Sequence, residues 1–363
     1  MRHVDVAVVG LGLSGAATAW AAVRRGHDVA AFEAYEAGHR RGSSHGHSRI
    51  FRRAYLDPFY VELTGRAGDL WERLAAEAGE TPLDRVGGVD HGPGREPERM
   101  TALLQEHGVA AELLDPAEAA RRWPGIRFAG PAMHDPEGGV LDPEVAMAAM
   151  VRLAVAGGAR VAYETPVRDL EPDEDGVRFR AGAETWHART LVVAAGSWIG
   201  PLLDGLVPLP QLTVTQQAIF YFAPREPGPW PTIVHGASPE SLEMYALPEG
   251  PFVKVGDHVD GGVTTADTRD FTVPSSARER AVAYVREWLP GLDPDPRSET
   301  TCLYTRAPGE DFILDRQGPI VVCSPCSGHG AKFAPLIGEL VTDLVEGVPP
   351  VARFALTPPD VPA

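Results

Sequence analysis

The apolar positions of the chain fall into runs whose period changes along it. Residues 4–9, "VDVAVV", form an apolar run of strand length; "GLGLSG" interrupts it, and "AATAWAAVRR" continues as an alanine-rich helix. "HDVAAFE" is a second strand, ending in Glu33. Helix is expected in "FYVELTGRAGDLWERLAAEAG", strand and turn in "RVGGVDHGPG", and short helices in "PERMTALLQEHG" and "DPAEAARRW". "EVAMAAMVRLAVAGG" reads as an amphipathic helix followed by the strand "ARVAYE", and residues 176–195 alternate as a strand pair ending in "TLVVAAGSW". Residues 213–222 and 242–256 look like strands of a different sheet, "SSARERAVAYVREWLPG" like a helix, and "CLYT" and "DFILD" like short strands. "PIVVCSPCSGHGAKFAPLIGELVTDLVEG" repeats strand, glycine turn and helix, with Gly328 and Gly330 opening that helix. The pattern predicts an α/β protein. A Rossmann-type domain, parallel sheet with helices, takes residues 1–84, 140–212 and 310–363; a mixed-sheet substrate domain takes 85–139 and 213–309.

The first glycine turn carries chemistry. Gly10, Gly12 and Gly15 fit G-x-G-x-x-G directly after a strand and at the mouth of a helix. Gly10 allows the tight turn, Gly12 lets backbone approach a pyrophosphate, and Gly15 lets helix pack on strand. Glu33, at the end of the second strand, is placed to accept hydrogen bonds from an adenosine ribose, and the phosphates would sit at a helix N-terminus, where free N–H groups favour negative charge. The motif does not separate NAD from FAD; the next segment does. "GHRRGSSHGHSRIFRRAY", residues 38–55, is polar and glycine-rich where a nicotinamide enzyme would continue with helix and strand, and it suits a loop wrapped around the flavin half of FAD. Its His39, His45 and His47 have no carboxylate or cysteine beside them in the sequence, which argues against a metal.

Composition narrows the partners. The net charge of −17 and the absence of a basic block argue against nucleic acid and anionic membranes, leaving a small molecule. Residues 6–23 are apolar enough to imitate a signal peptide, but an aspartate in "MRHVD" and three glycines in the run favour the strand-turn-helix reading. Three cysteines in 363 residues suit a reducing compartment, and a cytoplasmic location is expected. Cys323 and Cys326 form "CSPC", for which packing in a turn is the simplest account. The most informative count is of lysine. Of 33 basic residues only Lys254 and Lys332 are lysines; the rest are arginines. Lysine is a compact point charge whose pKa moves on burial, so it does work that an arginine fork cannot.

Over nearly its whole length the chain resembles the monomeric sarcosine oxidase family of flavin amine oxidases. The resemblance rests on "VVGLGLSGAATA" with "FEA", on "GSSHGHSRIFRRAY", on "VVAAGSW", on "FVKVGDH", and on "CLYT…EDFILD" with "SGHGAKF". It implies FAD attached covalently through Cys302, and Lys254 at the flavin face promoting reaction with molecular oxygen, with His258 as its paired histidine. It implies Arg52 and Lys332 on the substrate carboxylate, and Ser48 and Arg49 beside the flavin on its other face. His45, His329, Tyr304 and Tyr245 would line the cofactor and substrate pocket. The implied reaction takes an amino acid carrying a secondary amine to its imine, with oxygen reduced to hydrogen peroxide; a cyclic amino acid, or a dehydrogenase with another acceptor, are the alternatives. Two departures touch the substrate pocket. Ala331 stands where the family carries an aromatic before the second lysine, and Asp257 replaces a frequent aromatic before the histidine of K-x-G-x-H.

Overall fold

The computed structural model describes residues 1–236, 243–258 and 261–357. Strand Arg2–Val9 lies inside an eight-stranded sheet, parallel to Val29–Phe32 on one side and to Glu184–Val193 on the other, with Arg160–Ala162 outside Val29–Phe32. Glu184–Val193 divides its far edge between two partners. Residues 184–188 pair antiparallel with Val177–Ala181, and residues 191–193 run parallel to Ile320–Ser324. The sequence shows why. "ETWHAR" alternates and keeps one face in water, whereas "TLVV" is apolar throughout and fully buried, as a parallel strand covered on both faces must be.

Helices Leu13–Arg24, Pro143–Ala156 and Ala334–Val345 cover one face of this sheet. Their side chains join a large core that includes Trp20, Trp71, Met150 and Phe333. Asp142 caps Pro143–Ala156 by accepting from the Glu144 and Val145 amides, with proline at the first helical turn, where its missing N–H costs nothing.

Among the described residues, the second sheet has nine strands. Its spine is Thr213–Phe222, Phe252–Asp257, Glu243–Glu249, Thr232–Gly236, Gly88–His91, Ala132–Asp135 and Glu112–Leu114, with Ser298–Arg306 paired along Thr213–Phe222. Helix Ser275–Trp288 closes its core through Ala281 and Val285. The strands of the first sheet all come from 1–84, 140–212 and 310–363, and those of the second from 85–139 and 213–309. A small three-stranded sheet, Arg49–Phe51, Gly139–Leu141 and Leu83–Asp84, joins the polar loop after Glu33 to the body of the protein.

Two elements differ from the sequence expectation. Gly328 and Gly330 do not open the C-terminal helix. The amides of His329 and Gly330 both turn back to the Cys326 carbonyl, a 3₁₀ turn covers Gly330–Phe333, and the helix begins at Ala334, where Pro335 is tolerated. The 242–256 segment is two strands, Glu243–Glu249 and Phe252–Asp257, separated by Gly250 at φ 58°; residue 242 lies outside the described residues. Among the described residues, no helix is long and apolar enough to cross a membrane.

Candidate active site

A cavity of about 1270 Å³ opens between the carboxyl ends of the first sheet's strands and one face of the second sheet. At its nucleotide end, Gly10 holds φ 92°, and Gly12 is the N-cap of Leu13–Arg24, where the Ser44 hydroxyl from the polar loop accepts from the Leu13 amide at 3.1 Å. A Cβ on Gly15 would lie 1.8 Å from the Gly10 carbonyl oxygen, so only glycine lets this helix start against the turn. Glu33 is buried just past its strand and accepts from the Leu11 amide at 2.9 Å and the Tyr35 amide at 3.2 Å. Burial disfavours its charge, but a hydrogen bond from His39 and those backbone donors hold its carboxyl below the usual range.

The middle of the cavity is lined by the segment 42–49 and by two strands of the second sheet. Arg49 sends its guanidinium to the backbone carbonyls of Ser43 (2.7 Å), His45 (2.8 Å) and Ser48 (2.7 Å), which fixes the loop. The same guanidinium stands 3.9 Å from Cys302 Sγ. His45 Nε2 is buried with no hydrogen-bond partner among the described residues; burial, and then the cations Arg49, Arg269 and Lys254, press its pKa down to about 3. A neutral ring with an orphaned nitrogen on the wall of an apolar and polar cleft is a group waiting for a ligand atom. Lys254 is 3 % exposed and donates to the Ser48 carbonyl at 3.0 Å and Ser48 Oγ at 3.1 Å. Burial, with Arg49 adding repulsion, lowers its pKa to about 8.

The glycine of "KVGDH" has a spatial reason. Gly256 pairs with Tyr245 across the strands, and a Cβ there would meet the Tyr245 hydroxyl at 2.4 Å. The missing side chain lets the buried phenol lie along the cavity wall, where it hydrogen-bonds Tyr304. His258 follows, 5.5 Å from the Tyr304 ring; burial brings its pKa to about 4, so it stands neutral.

At the far end lie Arg52 and Lys332, and Tyr55 joins them. The Arg52 guanidinium carbon is 4.9 Å from the Tyr55 ring centre, and Lys332 Nζ donates to the Tyr55 hydroxyl at 3.1 Å and to the His329 carbonyl at 2.8 Å. His329 Nε2 faces the Glu310 carbonyl at 3.0 Å, so that nitrogen carries the proton. Nδ1 therefore accepts from Tyr55 at 2.9 Å, and the chain of donors runs in one sense from Lys332 through Tyr55 to His329. Lys332 is 4 % exposed, and burial together with Arg52 pushes its ammonium well below the usual lysine range. Arg52 also donates to the Ala54 carbonyl and lies 3.8 Å from Asp90.

Every residue expected at the site lines this one cavity except Gly15, which acts from behind through the turn, and Asp257, expected at the substrate pocket but outside the cavity lining. Gly328, Gly330 and Ala331 line it too, and so do Cys323 and Cys326. All three cysteines are free; burial raises the Cys323 thiol to about 12 and raises that of Cys326 as well. The sequence reading missed Tyr55, Glu243, Arg95 and Glu249. Arg95 bridges Asp90 (2.7 Å) and Glu243 (3.1 Å), and Glu243 reaches the cavity wall. Tyr55 ended a stretch already singled out, "RIFRRAY". The other three come from segments whose pairing no local pattern discloses.

A glycine cradle at a helix N-terminus and an acid at the next strand end suit a dinucleotide, and the cation-rich pocket across the sheet suits an anionic group. The residues fit FAD: glycine at 12 keeps Ser44 against the helix start, where a Cβ would sit 2.9 Å from Ser44 Oγ, Glu33 stands at the next strand end, and the orphaned His45 Nε2 lies on the cavity wall between them and the cations. The model of the family described as FAD dependent oxidoreductase matches residues 5–344, and the chain belongs to that family. It is an FAD-dependent amino acid or amine oxidoreductase. The chain is 33 % identical to a monomeric sarcosine oxidase of Streptomyces avermitilis, with 94 % of this chain and 93 % of the relative covered. It is 30 % identical to an N-methyl-L-tryptophan oxidase of Citrobacter koseri, over 98 % and 97 %. Among solved structures, the open form of NikD, an unusual amino acid oxidase essential for nikkomycin biosynthesis, superposes with a TM-score of 0.86 at 26 % identity, covering 98 % of each chain.

Proposed function

We propose that the protein oxidises an amino acid carrying a secondary amine to its imine, with molecular oxygen taking the two hydrogens as hydrogen peroxide. The observation that carries this reading is the burial of the chain's only two lysines in the lining of one cavity, at 3 % and 4 % exposure, in a protein that otherwise uses arginine. FAD, when bound, supplies the two-electron acceptor, held by Gly10, Gly12 and Glu33 at one end and by Ser48, Arg49 and His45 in the middle. Cys302 is the proposed point of covalent attachment, being the thiol beside Arg49. Arg52 and Lys332 bind the substrate carboxylate, with Tyr55 holding both cations in place. Repulsion from these cations favours the neutral amine, the form that reacts. Tyr245, Tyr304 and His258 form the wall opposite. Lys254 places a compact charge where negative charge grows on oxygen, a role in which an arginine fork is too large. The relatives named as sarcosine and N-methyltryptophan oxidases support an N-methyl amino acid. Ala331 on the cavity wall favours a second reading within the same chemistry, a bulky or cyclic side chain in place of sarcosine's hydrogen.

The test is a panel of N-methyl and cyclic amino acids, each with its decarboxylated analogue, assayed for oxygen uptake and peroxide. Peroxide equal to substrate consumed, with the decarboxylated analogues inert, is the expected result. Dye reduction without oxygen uptake would assign a dehydrogenase instead. Lys254→Met should slow the oxygen half-reaction on the order of 100-fold or more while leaving the substrate half-reaction nearly unchanged, and Lys254→Arg should restore little.

A further inference from the structure

Behind Lys254 stands a carboxylate that the cavity does not touch. Glu249 ends strand Glu243–Glu249; after Gly250 the chain returns as Phe252–Asp257, with Glu249 opposite Phe252 and Leu247 opposite Lys254. Glu249 and Lys254 are thus diagonal neighbours on adjacent strands, within reach of two long side chains. Lys254 Nζ lies 3.6 Å from Glu249 Oε2. Ser48 links them a second time. Its hydroxyl donates to Glu249 and accepts from Lys254 Nζ at 3.1 Å. A serine hydroxyl has one proton, so the chain runs from ammonium through hydroxyl to carboxylate in that sense only. Tyr221, paired with Lys254 on the neighbouring strand, also hydrogen-bonds Glu249.

The groups that face Lys254 come from several elements. Arg49, from the small sheet, repels its charge and Glu249, from the adjacent strand, favours it; Cys302, from Ser298–Arg306, also faces it and carries no charge as the thioether proposed above. His45 and Tyr221 are neutral, the one held down and the other held up by burial. Glu249 is the only carboxylate among these groups. Without it, burial and Arg49 would act on Lys254 with little opposition.

We propose that Glu249, directly and through Ser48, keeps the Lys254 ammonium charged at neutral pH and is thereby a positioning residue for the oxygen step. The inference rests on the reading that Lys254 serves that step. The Lys254 pKa of about 8 lies close above neutrality, so the ammonium predominates there, and the loss of this support leaves it partly deprotonated. Removing an opposite charge at this distance lowers a pKa by about 1 unit or more.

With two lysines in the chain, protein labelled at lysine Cε and Nζ gives two side-chain signals, and Lys254→Met assigns them. NMR titration of the FAD-loaded protein should place the Lys254 transition near 8 in wild type and at least about one pH unit lower in Glu249→Gln, which keeps the shape and loses the charge. The pH at which the oxygen half-reaction fails should fall by the same amount, while the substrate half-reaction keeps its rate. Should Glu249→Gln not fold, Glu249→Asp, with a shorter reach, should give a smaller shift of the same sign. An unmoved lysine transition overturns the proposal, as does a moved transition with an unmoved rate profile. If Lys254→Met leaves the oxygen half-reaction untouched, the underlying reading of Lys254 fails instead, whatever Glu249 does.

Discussion

At the scale of single residues, the two lysines and Cys302 carry the sharpest consequences. Lys332 is buried between Tyr55 and the His329 carbonyl, with Arg52 as its cationic neighbour. An incoming carboxylate would relieve the repulsion between the two cations, so removing one leaves the anion under-paired in a desolvated site. Breaking such a pair costs about 3–5 kcal/mol, and Lys332→Met should lower kcat/KM by roughly two to three decades, mostly through KM. A variant within about threefold of wild type would show that the carboxylate goes elsewhere. Cys302 makes a different kind of claim. Three free thiols line the cavity, but only Cys302 stands beside the Arg49 guanidinium, whereas Cys323 and Cys326 flank the turn after Ile320–Ser324. Flavin should therefore precipitate with the polypeptide in acid, Cys302→Ser should release it, and Cys323→Ser and Cys326→Ser should not. Flavin freely extracted from wild type would remove the covalent link.

At the scale of elements, the two glycines that matter most do different jobs, and substitution should separate them. Gly15 meets the backbone of its own turn at 1.8 Å, a contact no side chain can move away from. Gly15→Ala should therefore lose flavin, giving a colourless protein even with FAD added. Gly256 meets a side chain, the Tyr245 phenol at 2.4 Å, which can swing aside. Gly256→Ala should keep its flavin spectrum and lose turnover, the overpacking costing about 1–3 kcal/mol. Both glycines stand in stretches that the bare sequence marks out, because their spacing is tied to local geometry: a turn feeding a helix, a strand with a ring across it. The same locality explains what was legible. The βαβ run at residues 4–33, the interrupted order of strands and the lysine runs are patterns within short windows. Glu249, Glu243 and Arg95 were not legible. Each acts through a pairing between strands distant in sequence or through a hairpin register, and neither leaves a periodic trace. The late start of the C-terminal helix was hidden likewise, since the backbone bonds that tighten residues 326–330 look, in sequence, like a helix cap.

At the scale of the whole molecule, the number of neutral histidines in the interior sets the response to acid. His45 and His329 are held to about 3, His235 and His258 to about 4, and His91 well below its ordinary value, in each case chiefly by burial. All five take up protons more readily when the chain unfolds. A group whose folded pKa is depressed contributes stability above its unfolded value, and that contribution drains as pH falls towards the folded value. Stability should therefore drop as pH goes from 6.5 towards 4.5, before glutamates such as Glu33, also depressed in the fold, begin to add to the loss. Buried tyrosines act at the other limit. Tyr55, Tyr60 and Tyr304 are raised by burial, so their contribution is lost only when pH rises past about 10, the ordinary tyrosine value. The melting temperature should thus show an acid limb that loses about 5 °C or more by pH 5, each histidine accounting for roughly 1.4 kcal/mol per pH unit at most. Three of the five line the cavity and respond to what is bound there, but His91 and His235 do not; they stack at 4.1 Å in the second sheet, with His235 bonded to Tyr284 at 3.3 Å. That pair allows a clean measurement. His91→Phe keeps a flat ring on His235 and deletes one titrating group, so its acid limb should be shallower than that of wild type while the melting temperature at pH 7 moves little. Calorimetry of the flavin-loaded protein from pH 4.5 to 10 decides it: a flat profile would remove the histidines as the source of acid lability, and identical limbs in both proteins would remove His91 from the set.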